Sequence, residues 1–220
     1  MTEVNEVVKS TVLIFSALFP IVNPLGGTPI FLSLTREYSG GERGSLARRV
    51  ALNSLLLLIA SLLVGTHILS FFGISLPVVQ VGGGLVVIST GWTMLSWKPD
   101  GEANAAAQRA ARPEDIRQQA FYPLTLPLTV GPGSIAVAIT LGANSPHHAG
   151  GNYHALISAV TGSVLIAASV WLCYGFAERL ARLLGEAAMG VVMRLSSFLL
   201  VCIGVQILWN GASALLKTLG

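Results

Sequence analysis

Charged residues are scarce in this chain, and their scarcity decides the class of protein. Only 10% of the 220 residues are Asp, Glu, Lys or Arg, whereas 53% are hydrophobic and the mean hydropathy is +0.71. Soluble domains carry about 25% charged residues, because they must cover a water-facing surface. The composition therefore excludes a soluble globular protein and predicts one integral membrane domain.

Motifs for metal, redox and nucleophilic chemistry are also lacking. Cys173 and Cys202 lie in apolar stretches, where cysteine usually serves as a small packing residue. The sequence contains no CxxC, HExxH or GxSxG pattern, and the net charge of +3 forms no basic stripe with interleaved aromatic residues. We therefore expect no disulfide, no metal or other cofactor, no nucleic-acid partner and no enzymatic activity.

Acidic residues are absent from the apolar runs, and Glu178 only borders one. The intramembrane carboxylate that commonly relays protons in transporters is therefore missing. A coupling Na⁺ would have to bind backbone, Asn, Ser or Thr oxygens, and a coupling proton would need a histidine. Uniport and exchange stay equally open.

Runs without charge define the membrane spans. Residues 10–35, 50–97 and 118–177 contain no Asp, Glu, Lys or Arg, and residues 187–216 contain only Arg194. Because a helix needs about 20 apolar residues to cross a bilayer, these runs hold one, two, two and one spans. We predict six spans, at residues 10–35, 50–70, 76–97, 119–142, 154–176 and 188–210.

Basic residues are distributed unevenly over the connecting segments. Ten Lys and Arg side chains lie in segments 36–49, 98–117 and 178–187, whereas only Lys9 and Lys217 lie on the opposite side. Cytoplasmic loops carry an excess of Lys and Arg. We therefore predict that these three segments are cytoplasmic and that both termini lie outside, in a plasma membrane or bacterial inner membrane.

The segment 98–117 divides the chain into two halves, residues 1–97 and 118–220, with three predicted spans each. Because three is odd, span 4 must enter the membrane from the side opposite to span 1. Equivalent halves would then form an inverted repeat. Placing Pro20 on Pro127 pairs Gly26 with Gly133. The predicted fold is an all-α membrane protein of two inverted three-helix repeats.

Two proline- and glycine-rich segments, residues 20–29 and 123–134, interrupt spans 1 and 4. Proline lacks an N–H and disfavours helix in the preceding residue, so each segment is predicted to end one half-helix, at Asn23–Pro24 and at Gly131–Pro132. Pro29 and Pro132 suit the first turn of the next half-helix. A purely structural kink is the alternative, but paired broken helices are typical of transporter substrate sites.

The residue types at these interruptions suit a small anionic group. Unpaired amides in a first helical turn form the positive end of a helix dipole and bind carboxylates, and glycine lets a ligand approach the backbone. The predicted substrate-binding residues here are Asn23, Pro24, Gly26, Gly27 and Thr28 in the first half, and Thr129, Gly131, Pro132, Gly133 and Ser134 in the second.

Arg194 is the only full charge inside a predicted span, and a charge near the bilayer centre costs at least about 2.5 kcal/mol. It either anchors a substrate carboxylate in a bidentate pair or extends to the membrane surface. Gln80 in span 3 takes the equivalent place under a second alignment, and Gln206 follows on the same side of span 6. We include all three as candidate site residues.

Residues 19–35, the Pro-Leu-Thr-Val-Gly-Pro-Gly-Ser-Ile sequence at 127–135, and Arg194 followed by residues 205–208 and 210–211 together resemble the MarC family of bacterial and archaeal membrane proteins. That family is also described as NAAT, for neutral amino-acid transporters, and is similar to the wider LysE-like group. The resemblance implies six spans and transport of glycine, alanine and related small amino acids.

The sequence therefore leaves three candidate functions. The leading hypothesis is a secondary transporter of small neutral amino acids, with its site at the paired interruptions near the bilayer midplane. The alternatives are an exporter or channel for another small solute or ion, and a membrane scaffold that transports nothing. The expected partners are a small-molecule substrate and the lipid bilayer, and a homo-oligomer stays open.

Overall fold

The computed structural model describes residues 2–96, 116–144 and 153–217, and these form helices joined by short turns, with no strand among them. This confirms the predicted all-α class. The segment 98–117, apart from its last two residues, and the loop 145–152 lie outside the described residues. The helices are α1 (Thr2–Val22), α2 (Pro24–Leu34), α3 (Gly40–Phe71), α4 (Leu76–Leu95), α5 (Ile116–Gln119), α6 (Ala120–Thr129), α7 (Pro132–Ala143), α8 (Tyr153–Gly175) and α9 (Ala177–Lys217).

Five helical stretches of the described chain are long and apolar enough to cross a membrane, and α6 with α7 makes a sixth if that bent pair counts as one span. The first stretch, Val4–Leu34, contains both α1 and α2. The last, Ala187–Lys217, follows a break in α9 at Gly185, whose φ of 74° is in the left-handed region that favours glycine. The molecule is a multi-pass membrane protein.

Local chemistry explains where the helices begin. Ser39 and Glu42 form a reciprocal capping box at the start of α3. Pro24 and Pro132 stand at the first turns of α2 and α7, where a missing N–H removes no hydrogen bond. The expectation that Pro29 begins the second half-helix is wrong, because Asn23 and Pro24 already start it and Pro29 lies inside α2.

The short helices α2 and α7 occupy the centre of the bundle, since half or more of the residues of each are buried. The main contacts run between the two halves of the chain. In the first half, α1 packs on α8 and α2 packs on α9; in the second, α7 packs on α3 and α4. The halves therefore interlock rather than form two separate bodies.

Helices α4 and α9 make the most extensive pairing in the bundle. Glycines permit it: a Cβ at Gly84 would lie 2.8 Å from the Gly204 carbonyl oxygen, and one at Gly91 would lie 2.9 Å from that of Ser197. A Cβ at Gly211 would meet the Pro77 carbonyl oxygen at 2.7 Å. These contacts run antiparallel, and small residues let the two backbones approach, as in other membrane helix pairs.

A polar group, which we call the Arg43 cluster, ties four helices together at one end of the molecule. The Arg43 guanidinium donates to the Thr35 carbonyl at 2.8 Å, to the Thr35 hydroxyl at 3.1 Å and to the Tyr38 carbonyl at 3.2 Å, and it pairs with Glu178. The Tyr38 hydroxyl bonds to Gln119. Residues of the basic segments 36–49 and 178–187 thus meet at one end of the bundle, together with Gln119, which follows segment 98–117.

Candidate functional site

A single residue separates α1 from α2. Asn23 is buried and has φ 47° and ψ 56°, a left-handed conformation that asparagine tolerates better than most residues. Its side-chain oxygen accepts a hydrogen bond from the Gly26 N–H at 3.1 Å. Backbone bonds continue on both sides, from Asn23 to Phe19 and from Gly27 to Asn23, each 2.9 Å long. This interruption is a one-residue turn that caps its own second segment.

The nitrogen of the same side chain is unsatisfied. Asn23 Nδ2 is buried and has no acceptor among the described residues. A Cβ at Gly26 would come within 2.3 Å of this nitrogen, so only glycine leaves room for the cap. A buried donor without an acceptor costs about 1–3 kcal/mol, so a water or ligand at this position would stabilise the turn.

Tyr174 of α8 connects the two interruptions. Its ring is fully buried and stacks on Phe31 of α2, with centroids 4.5 Å apart and planes at 12°. Its hydroxyl lies 3.1 Å from the Thr129 hydroxyl at the end of α6. The same hydroxyl would lie 2.5 Å from a Cβ at Gly27, in the first turns of α2. One phenol therefore touches both broken regions.

The repeated Pro-Leu-Thr sequence of α6 explains its wide, π-type helical turns. Its two prolines have no N–H to give to the preceding turn. Threonine hydroxyls act as donors instead: Thr125 donates to the Ala120 carbonyl at 2.6 Å, and Thr129 donates to the Leu124 carbonyl at 2.7 Å. These bonds satisfy carbonyls that hydrocarbon would leave unpaired.

Helix α7 begins after a bend of 66° from α6. Gly131 precedes it without a side-chain cap, and Pro132 at its start has no N–H. The first backbone bond into the helix runs from Ile135 N–H to the Gly131 carbonyl at 3.1 Å. The N–H groups of Gly133 and Ser134 therefore have no acceptor within the helix, and they lie at its positive end.

A small cleft lies against this helix start. Its polar or backbone-exposing lining consists of Thr90, Thr129, Gly131, Gly133 and Ser134, and its apolar lining consists of Ile21, Val87, Pro127, Leu128 and Leu200. The volume open to the centre of a water molecule is about 20 Å³, little more than the ~10–15 Å³ that one ordered water requires. Because Thr90 is exposed, the cleft reaches the surface beside α4.

Ser134 is the polar group most clearly available in this cleft. The residue is 3% exposed and lines the cavity, yet its hydroxyl makes no hydrogen bond with any described residue. The Ser134 hydroxyl and the two adjacent amides are therefore available donors beside one small space.

The structure brings together part of the set of residues predicted from sequence. Of that set, Thr129, Gly131, Gly133 and Ser134 line the cleft, and Pro132 lies between them in the chain without lining it. The first-half residues Asn23, Pro24, Gly26, Gly27 and Thr28 are buried at the other interruption and do not line it. Thr28 donates to the Pro24 carbonyl at 2.8 Å.

The polar residues predicted in spans 3 and 6 lie elsewhere. Arg194 is exposed on α9, although its helix neighbours Met193 and Ser197 are buried. Gln206 is also exposed and donates to Asn210 at 2.9 Å. Gln80 is half-buried against Gly211. None of the three lines the cleft.

Sequence reasoning missed Tyr174, Val87, Thr90 and Leu200. A tyrosine near the end of a span is usually an interface residue, and nothing in the pattern marked this one as central. Val87 and Leu200 are ordinary apolar residues of membrane helices. They line the cleft only because of the way in which the helices cross. For Thr90, the sequence offered one indication. Its hydroxyl lies three residues after Val87, so both side chains are on the same face of α4.

Comparison with known proteins gives one family. The model for MarC family integral membrane proteins matches residues 8–216. The chain is 30% identical over 209 residues to the UPF0056 inner membrane protein MarC of Salmonella typhimurium, covering 91% of this chain and 93% of that one. It is 28% identical over 206 residues to the UPF0056 membrane protein YvbG of Bacillus subtilis, covering 94% and 95%. No solved structure matches it.

Proposed function

Because this chain belongs to the MarC family of integral membrane proteins, we propose that it is a secondary transporter of small neutral amino acids such as glycine or alanine. We place the substrate site in the cleft at the bend between α6 and α7. Relatives are named inner membrane proteins, so we assign this chain to the same membrane.

The free donors at the start of α7 carry this proposal. The Ser134 hydroxyl and the N–H groups of Gly133 and Ser134 lie at the cleft, where the hydroxyl has no hydrogen-bond partner among the described residues and the helix supplies no acceptor to the amides. A carboxylate supplies two oxygens with several lone pairs, which matches such a set. The helix dipole adds a favourable potential for its negative charge.

Thr129, which also lines the cleft, suits a positive group. The single proton of the Thr129 hydroxyl goes to the Leu124 carbonyl, so Tyr174 must be the donor in the Thr129–Tyr174 bond. The Thr129 oxygen therefore offers only a lone pair, beside the last carbonyls of α6. An acceptor and several donors in one cleft match a zwitterion, whose ammonium and carboxylate are joined through one carbon.

The pattern of helix contacts supports an inverted repeat. Exchanging the halves maps α1 and α2 onto α6 and α7, α3 onto α8, and α4 onto α9. The observed pairs α1–α8 and α2–α9 then become α6–α3 and α7–α4, which are also in contact. The helix-start residues Asn23 and Gly131 also correspond, one position away from the register in which Gly26 pairs with Gly133.

Transport also requires a change of shape. A cleft with about 20 Å³ open to water holds a water molecule but no amino acid. We propose that this structure is a closed state and that substrate enters when the 66° bend between α6 and α7 opens. Rocking of one repeat against the other is the usual route to alternating access in inverted-repeat transporters.

Flux through purified protein in liposomes tests the proposal. We expect uptake of radiolabelled glycine and alanine, measured with and without Na⁺ and pH gradients, and a Ser134→Ala variant with a KM raised about tenfold, because a hydrogen bond to a charged group is lost. Ser16→Ala is the matched control, since that serine is exposed on α1 and bonds only to the Leu13 carbonyl.

Absence of flux in either direction, under every gradient, would reject the transporter. Flux of another solute, with no competition from glycine or alanine, would favour the alternative of an exporter or channel with a different substrate. An equal KM in Ser134→Ala and wild-type protein would move the site away from the start of α7.

A further inference from the structure

We infer that Val87 of α4 sets the largest side chain that a substrate can carry, and so determines which neutral amino acids the protein accepts. This rests on the proposed function and adds a specificity-determining residue to that site. It follows from the contact between Val87 and the first turn of α7.

Val87 occupies space that a side chain on α7 would otherwise fill. Its Cγ2 methyl lies only 2.3 Å from the position that a Cβ at Gly133 would take, and its own Cβ lies 3.5 Å from it. Val87 is 2% exposed and lines the cleft. The valine is thus seated directly on the backbone whose amides face the substrate.

The geometry of an amino acid then fixes what Val87 meets. A carboxylate on the N–H groups of Gly133 and Ser134 places the substrate Cα one bond beyond the carboxyl carbon. With the ammonium directed at the Thr129 oxygen, the Cα keeps two substituents, a hydrogen and the side chain, and we place the side chain against the apolar lining of the cleft. That lining includes Val87, Ile21 and Leu200.

Space on this side is short. The closed cleft has about 20 Å³ open to a water centre, so each methylene of a substrate side chain must be accommodated by movement of the apolar lining. Forcing extra methylenes into a packed site costs about 1–3 kcal/mol. Discrimination of about 10–200-fold per methylene is typical of such pockets. A hydrogen or a methyl group is therefore favoured over a branched side chain.

We assign this role to Val87, and not to the apolar neighbours Leu200 and Ile21, because the three side chains contact different parts of the structure. Leu200 also packs against Gly91 and belongs to the α4–α9 pairing, with its Cβ 3.0 Å from the position of a Cβ there. Ile21 comes from the end of α1. Of these three residues, Val87 supplies the atoms nearest to the position of a Cβ at Gly133.

The test compares substrate preference in wild-type protein and Val87→Ala. Uptake of radiolabelled glycine is measured in liposomes against unlabelled glycine, alanine, valine and leucine. In Val87→Ala we expect the inhibition constant of valine or leucine, relative to that of glycine, to fall at least tenfold, because two methyl groups have left the apolar lining.

Two control variants distinguish an effect of side-chain size at position 87 from a general loss of transport. Val86→Ala removes the same two methyl groups from the neighbouring residue, which does not line the cleft, and should keep the wild-type order of substrates. Val87→Thr keeps the shape of valine and should keep that order as well. Should Val87→Ala fail to reach the membrane, Leu200→Ala opens the adjacent part of the same lining and should shift preference in the same direction.

The outcomes distinguish this inference from the proposed function. Glycine flux with an unchanged order of competitors in Val87→Ala, or an equal shift in Val86→Ala, would overturn the role of Val87 and leave the transporter in place. No glycine or alanine flux in wild-type protein would overturn the proposed function itself, and this inference with it. Thermal stabilisation of the purified protein by the same four amino acids gives an independent readout of binding.

Discussion

Individual buried side chains hold the two interruptions in place. The Tyr174 hydroxyl fits between Gly27 of α2 and Thr129 of α6, and it leaves no space for a methyl group on the glycine. The contact is specific to one oxygen atom, because the next nearest atom of the ring would lie at an ordinary 3.5 Å from that methyl. Removing the oxygen should therefore make the larger residue tolerable.

This predicts suppression between two substitutions. Gly27→Ala should destabilise the protein by about 1–3 kcal/mol through overpacking, and Tyr174→Phe by about 1 kcal/mol through loss of the bond to Thr129. In the double variant, the loss of stability should be smaller than the sum of the losses in the two single variants, and it should be close to the loss in Tyr174→Phe alone. Thermal unfolding midpoints in detergent measure this, with Gly44→Ala as control, since a Cβ there meets nothing within 4 Å. If the losses of stability in the two single variants simply add in the double variant, the contact between Gly27 and the Tyr174 hydroxyl would be contradicted.

At the scale of elements, the Arg43 cluster shows why one partner of an ion pair matters more than the other. The Arg43 side chain is 10% exposed, whereas that of Glu178 is 55% exposed. Arg43 also supplies the donors for the carbonyls of Thr35 and Tyr38, at the end of α2 and in the turn after it. Water can replace the arginine at Glu178 but reaches the buried Thr35 far less easily.

The two substitutions should therefore differ in size. Arg43→Ala should cost about 2–3 kcal/mol, because buried acceptors lose their donor, and Glu178→Gln about 1 kcal/mol or less, as for a largely exposed pair. Thermal unfolding midpoints in detergent measure which variant loses more stability. Arg48→Ala, on the exposed side of α3, is the control. Equal losses in both variants would show that the ion pair, not the backbone contacts, holds this end together.

At the scale of the molecule, the same cluster gathers the basic segments. Residues from segments 36–49 and 178–187, together with Gln119 beside the end of 98–117, meet at one end of the bundle. Ten of the thirteen Lys and Arg residues lie in these three segments. The distribution predicts that this end faces the cytoplasm and that both termini face outward.

Reporter fusions check this orientation. A green fluorescent protein fused after the C-terminus should be dark and an alkaline phosphatase there should be active, because the terminus is predicted to lie outside. The same reporters inserted within segment 98–117 should give the opposite pair of signals. A fluorescent C-terminal fusion would reverse the predicted topology.

The candidate site could be inferred from sequence only in its local parts. Proline at a helix start and unpaired amides after it depend on neighbouring residues alone, so Gly131, Gly133 and Ser134 could be named in advance. The roles of Arg194 and Gln80 could not be inferred. Each depends on which face of a helix turns inward, and a span that is apolar all round carries no periodic signal for that choice.

The sequence by itself determined that this protein resides in a membrane and is helical, because too few charges remain to cover a surface and hydrocarbon requires every backbone group to be satisfied within its own segment. Only the tertiary structure decided that Tyr174 lies between the interruptions, that Val87 rests on Gly133 and that Arg194 points outward. Those placements follow from helix crossings set by glycine contacts between distant parts of the chain, where packing selects one arrangement among many of similar hydrophobicity.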